Sequence, residues 1–418
     1  MAGRADGVAS VRAGVALGRW RERGRSRAPP LPVSRIPSRV LVWTRRRSLP
    51  SRALMDVMTI VLFCVGLAVL VVGANWLVKG ASRLAAAAGV SALVIGLTVV
   101  AFGTSAPELA VSVQSAWSGQ ADMAVGNVVG SNVFNVLFIL GASALITPLL
   151  VAQQLVRRDV PIMIVLSVGL WLIARDGQLT RIDGIAMVAL LVVYTVWIIR
   201  VSRRETKAVE AEYEAEYGAA EAAKSSVLVN VGFVLAGLAM LVIGSNWLVD
   251  GAVAFARWAG VDEVTVSLTI VAAGTSLPEV ATSITAALRG ERDIAVGNVV
   301  GSNIFNILSV LGLSAAVSPG GLAVAPAMEN FSIPVMIAVA VACLPVFARG
   351  WTIPRWQGAL FLLYYGAYAA YLVLDAKQHA AKEEYARVML WYVMPATAVP
   401  LLGSVVLVLR GARARSRE

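Results

Sequence analysis

Gly103-Thr104-Ser105-Ala106-Pro107-Glu108 recurs as Gly274-Thr275-Ser276-Leu277-Pro278-Glu279, a displacement of 274 − 103 = 171 positions. The displacement holds downstream, where Ala124 to Asn132 (AVGNVVGSN) returns letter for letter as Ala295 to Asn303. It also holds upstream, where Asn75-Trp76-Leu77-Val78 returns as Asn246-Trp247-Leu248-Val249. A register kept this far without a gap marks an internal duplication. Each copy sets one carboxylate inside an apolar stretch, where an uncompensated charge is expensive. Two such copies can each supply half of one site.

Hydrophobic residues make up 58% of the 418-residue chain and charged residues 15%, with a mean hydropathy of +0.76. That is the composition of a polytopic membrane protein. Apolar runs fall at 57–78, 90–117, 123–147, 159–174, 183–200, 227–249, 264–288, 294–317, 331–348 and 356–374, with an eleventh at 388–409. Most reach the ~20 residues a helix needs to cross a bilayer. Residues 55–200 form the first repeat and 227–375 the second, joined by a charged linker at 201–226. Five spans is an odd number, so the second copy must enter the membrane from the opposite face. The expected fold is an all-α polytopic membrane protein of two inverted five-helix repeats, ten transmembrane helices in all. An extra span is expected in the C-terminal extension, 376–418.

The formal charge of +11 does not point to nucleic acid, because it is confined to one end. Residues 1–54 hold 13 arginines against Asp6 and Glu22, or 13 − 2 = +11, and the remainder is neutral. This segment is a disordered basic tail, a targeting segment, or translated sequence upstream of a start at Met55. It lacks the apolar core and cleavage site of a secretory signal, and the start at Met55 is the favoured reading. With the chain entering from outside, one set of loops holds thirteen basic residues, among them Lys79, Arg83, Arg157, Arg158, Arg289 and Arg355. The opposite loops of the ten-span region hold Arg175, Arg181 and Arg257. By the positive-inside rule the richer side, including linker 201–226, is cytoplasmic and the protein lies in the plasma membrane.

Within each copy the chemistry is that of hard oxygen donors. Thr104 and Glu108 are four residues apart and share a helix face. Pro107 has no N–H, which leaves the Gly103 carbonyl without its helical partner. The Ala101 carbonyl, one turn before Thr104, is expected to be freed by the same unwinding. Ser105 adds a hydroxyl. Downstream, Ser131 and Asn135 are four apart, while Gly126 and Gly130 permit close helix approach. The second copy repeats the set with Ala272, Thr275, Ser276, Glu279, Ser302 and Asn306. Such a donor set suits Na⁺ or Ca²⁺ and not softer transition metals. Asn127, Asn132, Asn298 and Asn303 read as interhelical hydrogen bonders.

Other features have plainer readings. Cys64 and Cys343 are packing residues, and His379, the single histidine, excludes histidine metal sites within the membrane. Glu205, Glu210, Glu212, Glu214, Glu216 and Glu221 in the linker lack the spacing of a calcium-binding hand. They belong to a solvated helical connector, with a regulatory cation sensor as the alternative. Trp76, Trp247, Trp351 and Trp356 read as interfacial anchors.

The paired GTSxPE and GNVVGSNxFN segments resemble the two alpha-repeats of the calcium/cation antiporter superfamily, in its bacterial and archaeal sodium/calcium exchanger branch. The resemblance spans residues 55–375. It implies an ion antiporter and no enzyme, working by alternating access, with Na⁺ and Ca²⁺ as transported ions and no resident cofactor. By position, Thr104, Ser105, Glu108, Ser131, Asn135, Thr275, Ser276, Glu279 and Ser302 match the family's ion-binding residues, and Ala101 and Ala272 its carbonyl donors. Family members often carry aspartate where this chain has Asn306, which leaves stoichiometry and potassium dependence open. H⁺/Ca²⁺ exchange, K⁺-dependent exchange and a passive cation channel are the alternatives. Because every candidate ligand follows Met55, a chain beginning there is expected to insert and transport like the full one. Vesicle flux from the two proteins, with mass spectrometry of the native N-terminus, checks this.

Overall fold

A computed structural model describes residues 57–217, 226–261, 270, 272–348, 351–397 and 399. The basic segment 1–54 and the chain from 400 onward lie outside the described residues, and with them the readings of the tail and of most of the eleventh span. The described chain is almost wholly helical. In lipid no water is available to backbone groups, so each spanning segment must satisfy its own. Among the described residues seven helices are long and apolar enough to cross a membrane, or eight if a bent pair is counted as one span.

The first repeat begins with α1 (Val57–Ala88) and continues through the bent pair α2 (Ala92–Thr104) and α3 (Ala106–Trp117). Helix α4 (Ala121–Ile146), α5 (Val160–Ile173) and α6 (Arg181–Tyr217) follow. The second repeat has α7 (Val227–Trp258), α8 (Ala272–Gly274), α9 (Leu277–Leu288), α10 (Arg292–Val317), α11 (Met328–Phe347) and α12 (Arg355–Ala376). Helix α6 runs through residue 200, so the start of the linker is a helical continuation of the fifth span. Its Glu-, Lys- and Ala-rich sequence favours that state. Residues 262–269 and 271, the entry to the seventh expected span, are outside the described residues. After α12, helix α13 (Lys382–Val388) begins the C-terminal extension and turns back on α12. There the Tyr385 hydroxyl donates to the Ala367 carbonyl (3.0 Å) and the Tyr364 hydroxyl to that of Val393 (3.3 Å).

Helices α1 and α7 occupy equivalent places in the repeats and pack antiparallel. A Cβ on Gly66 would meet the Gly244 carbonyl at 2.9 Å, one on Gly73 that of Gly237 at 2.9 Å, and one on Gly80 that of Asn230 at 2.9 Å. As one number climbs by seven the other falls by seven. Equivalent helices running in opposite directions are the direct mark of inversion. Each is 32 residues long, about 48 Å at 1.5 Å per residue. That exceeds the ~30 Å hydrocarbon thickness, so each either tilts or continues beyond it.

Two short antiparallel clamps join the repeats. Strand β1 (Leu149–Leu150) pairs with β4 (Thr352–Ile353), and β2 (Gln178–Leu179) with β3 (Leu322–Ala323). The Val151 N–H donates to the Trp351 carbonyl (2.8 Å), and the Val324 N–H to the Gly177 carbonyl (2.8 Å), so the clamps are symmetry mates. Trp351 accordingly takes the positive φ (57°) that Gly177 takes (79°) in the other clamp. The helices that carry the duplicated motifs lie inside this frame. From Ile294 to Leu311 every residue of α10 is buried, whereas α1, α6, α7 and α12 present apolar side chains outward to lipid.

A Cβ at Gly237 would lie 2.6 Å from the Leu77 nitrogen and 2.8 Å from the Gly73 oxygen, backbone atoms that cannot move aside. Gly237→Val is expected to part α1 from α7 and destabilise the bundle by at least about 1–3 kcal/mol. Gly232→Ala, where no atom beyond its own helix lies within 4 Å, should be neutral or stabilising. Thermal melting in detergent distinguishes the two.

Candidate cation site

The chain breaks where the repeated motif requires it. Helix α2 ends at Ser105, whose ψ of 8° departs from the helix, and α3 restarts at an angle of 46°. In the second copy Ser276 takes the same conformation (ψ 8°) between α8 and α9. Pro107 and Pro278 fall in the first turn of the new helices, where a missing N–H is tolerated. One expectation is corrected here. The Ala101 carbonyl is not freed by the break, because it accepts from the Ser105 N–H (3.0 Å) and from the Thr104 hydroxyl (3.4 Å). The unwinding is confined to the residue after Thr104, and helix α2 completes its last bond first. Ala272 is the first residue of α8.

The two breaks face each other, and each glutamate is held by the other repeat. The Ser276 hydroxyl donates to Glu108 Oε1 (2.7 Å), and the Ser105 hydroxyl donates to Glu279 Oε1 (3.0 Å). Both carboxylates are buried, at 0% and 1% exposure. Among the described residues no Lys or Arg pairs with either, and no group of three or more His, Cys, Asp or Glu is assembled.

Asparagines close the site from the neighbouring helices. Asn127 Nδ2 donates to the Ser112 hydroxyl (2.9 Å) and the Glu108 carbonyl (3.4 Å), while its Oδ1 accepts from the Thr275 hydroxyl (3.5 Å). Asn298 repeats this with Ser283 (2.9 Å), the Glu279 carbonyl (3.5 Å) and Thr104 (3.2 Å). Where α4 crosses α10, Asn132 and Asn303 each donate to the other's carbonyl at 3.3 Å. Asn135 Nδ2 donates to Asn303 Oδ1 (3.0 Å), and Asn306 Nδ2 to Asn132 Oδ1 (3.1 Å). Thus Asn127, Asn132, Asn298 and Asn303 are the interhelical hydrogen bonders their motif implied. Ser112 and Ser283 were not anticipated. They lie four residues beyond the glutamates at the same 171-residue displacement, which is the signal that could have found them.

What remains unbonded is informative. Among the described residues Glu108 Oε2, Glu279 Oε2, Ser131 Oγ, Ser302 Oγ, Asn135 Oδ1 and Asn306 Oδ1 are buried oxygens without a hydrogen-bond partner. They form three symmetry-related pairs within the duplicated motifs; other buried polar atoms also lack a hydrogen-bond partner among the described residues, including Thr282 Oγ1 and the repeat-related hydroxyls of Ser143 and Ser314. Buried polar atoms are rarely left unpaired without reason. Oxygens of carboxylate, hydroxyl and amide are the ligands that hard cations take.

The family model for sodium/calcium exchanger protein matches residues 58–200 and 229–374, which together are most of the chain. Inner membrane protein YrbG of Escherichia coli is 38% identical over 246 residues, covering 58% of this chain and 75% of that protein. Sodium/calcium exchanger MaX1 of Methanosarcina acetivorans is 32% identical over 303 residues, covering 65% and 86%. Among solved structures, the sodium-calcium exchanger NCX_Mj soaked with zero Na⁺ and Ca²⁺ superposes with a TM-score of 0.64 at 28% identity. That superposition takes in 77% of this chain and 99% of NCX_Mj. The chain belongs to the sodium/calcium exchanger protein family and is an integral, multi-pass membrane antiporter of the bacterial and archaeal type.

Proposed function

We propose that this protein exchanges Na⁺ for Ca²⁺ by alternating access, using the inward sodium gradient to extrude calcium. The observation that carries this is the set of six unpartnered buried oxygens, two of them on carboxylates that pair with no Lys or Arg among the described residues. Two ionised glutamates give the site a charge of −2. One Ca²⁺ neutralises it, whereas three Na⁺ leave +1. If both loaded states cross, one net charge moves per cycle, worth ~2.3 kcal/mol per 100 mV. A membrane potential that is negative inside then favours calcium export.

In this reading Glu108 and Glu279 bridge the ions, Ser105 and Ser276 hold the carboxylates, and Thr104 and Thr275 complete the shell. Ser131, Ser302, Asn135 and Asn306 shape the flanking sodium positions. The inverted repeats supply the mechanical half. Rocking one part of the bundle against the other opens a midplane site to either side in turn, whereas a channel would need a continuous pore lined by charged rings or carbonyls.

Glu108→Gln and Glu279→Gln keep shape and remove one charge each. Losing one partner of a buried ion pair costs about 3–5 kcal/mol, so calcium affinity should fall by at least ~100-fold. Sodium-driven ⁴⁵Ca²⁺ uptake into reconstituted vesicles should then be abolished while the protein remains folded. Near-normal uptake by either variant refutes the site. Varying Na⁺, K⁺ and pH gradients separately identifies the coupling ion, and calcium uptake driven by pH alone in sodium-free vesicles would replace Na⁺ by H⁺.

A further inference from the structure

Only one orientation of the asparagine amides presents oxygen to a cation. In the orientation observed, Asn306 Nδ2 donates to Asn132 Oδ1 (3.1 Å), leaving Asn306 Oδ1 among the unpartnered oxygens. Asn132 Nδ2 donates in turn to the Asn303 carbonyl (3.3 Å) and to the Met336 sulfur (3.4 Å). The symmetry mate is complete. Asn135 Nδ2 donates to Asn303 Oδ1 (3.0 Å), and Asn303 Nδ2 donates to the Asn132 carbonyl (3.3 Å) and the Met163 sulfur (3.5 Å).

The two ends of a primary amide are nearly equal in size, so packing does not choose between them and hydrogen-bond partners do. A thioether accepts weakly and never donates. Were Asn132 turned over, its oxygen would face two acceptors, the Asn303 carbonyl and the Met336 sulfur. Asn306 would then turn with it and point its NH₂ group at the ions. Both sulfurs are buried, on α11 and α5, in segments that also repeat: Val160-Pro161-Ile162-Met163 and Ile333-Pro334-Val335-Met336.

We propose that Met163 and Met336 are positioning residues for cation binding, their sulfurs holding Asn135 and Asn306, through Asn303 and Asn132, with oxygen toward the ions. This rests on the exchange reading above. The assignment is crossed: Met336 acts on Asn306 through an asparagine of the first repeat, and Met163 on Asn135 through one of the second.

The test uses the full chain in vesicles. Met336→Leu and Met163→Leu keep the apolar bulk and remove one of two acceptors per amide. Each should raise the half-saturating Na⁺ about three- to ten-fold, the scale of one buried hydrogen bond, without moving the half-saturating Ca²⁺. A carboxylate presents oxygen whichever way it turns. In the Asn306→Asp background, therefore, Met336→Leu should add no further shift, whereas Met163→Leu keeps its full effect. Unchanged Na⁺ dependence in the leucine variants overturns the proposal. So do equal shifts for Na⁺ and Ca²⁺, or a Met336→Leu effect that survives Asn306→Asp. If one leucine variant fails to assemble, the other decides, since the two chains are separate. Wild-type protein without sodium-dependent calcium exchange would remove the exchange reading and this proposal together. Exchange by the wild type with indifferent leucine variants removes the proposal alone.

Discussion

Glu108 and Glu279 are two acids buried at the centre of a lipid-embedded bundle, and the described protein offers them hydroxyl donors but no cation. Taking a carboxylate out of water costs several kcal/mol even after relaxation. Hydroxyl bonds from Ser276 and Ser105 recover part of that cost. The rest has to come from something that arrives with positive charge. Much of the architecture follows from keeping this pair close, dry and short of ligands.

The repeats meet that demand by exchange and not by self-sufficiency. Ser105 serves the glutamate of the other copy, as do Ser276, Thr104 through Asn298, and Thr275 through Asn127. Asn132 and Asn303 bind each other's backbone at the helix crossing. Neither copy can satisfy its own polar groups, so an isolated repeat would carry buried donors and acceptors with no partner, a heavy penalty in lipid. Ligation and fold are in this sense the same network. The oxygens that the helix crossings leave over are the motif's unpartnered ones.

Around this centre two different kinds of contact serve two different ends. The β1–β4 and β2–β3 clamps tie the loops of one repeat to the other by backbone hydrogen bonds at separate places in the frame. Helices α1 and α7 pack on each other through glycines at every seventh residue, backbone against backbone. Close small-residue packing, backbone against backbone, is the geometry of a unit that stays together as a pair. The C-terminal extension adds a helix outside both systems, docked on α12 through Tyr364 and Tyr385.

The membrane class, the duplication and its inversion, and the helix breaks beside each glutamate are legible in the sequence. Each of these is written in local pattern: apolar length, a repeat displacement, an odd number of spans, and proline beside glutamate. The sequence also marked Asn127, Asn132, Asn298 and Asn303 as interhelical hydrogen bonders. Which partner each group takes is settled by how the helices pack. Symmetry of sequence cannot say whether Ser105 serves Glu108, three residues away, or Glu279 across the axis. The Ala101 carbonyl looked free from the position of Pro107, yet the helix keeps its bond to Ser105, because a chain can unwind after a turn as well as within it. Ser112, Ser283, Met163 and Met336 were present in the repeat and passed unread. Their chemistry is weak or common, and it acquires meaning only when α4 crosses α10 and brings amide nitrogens within reach of them.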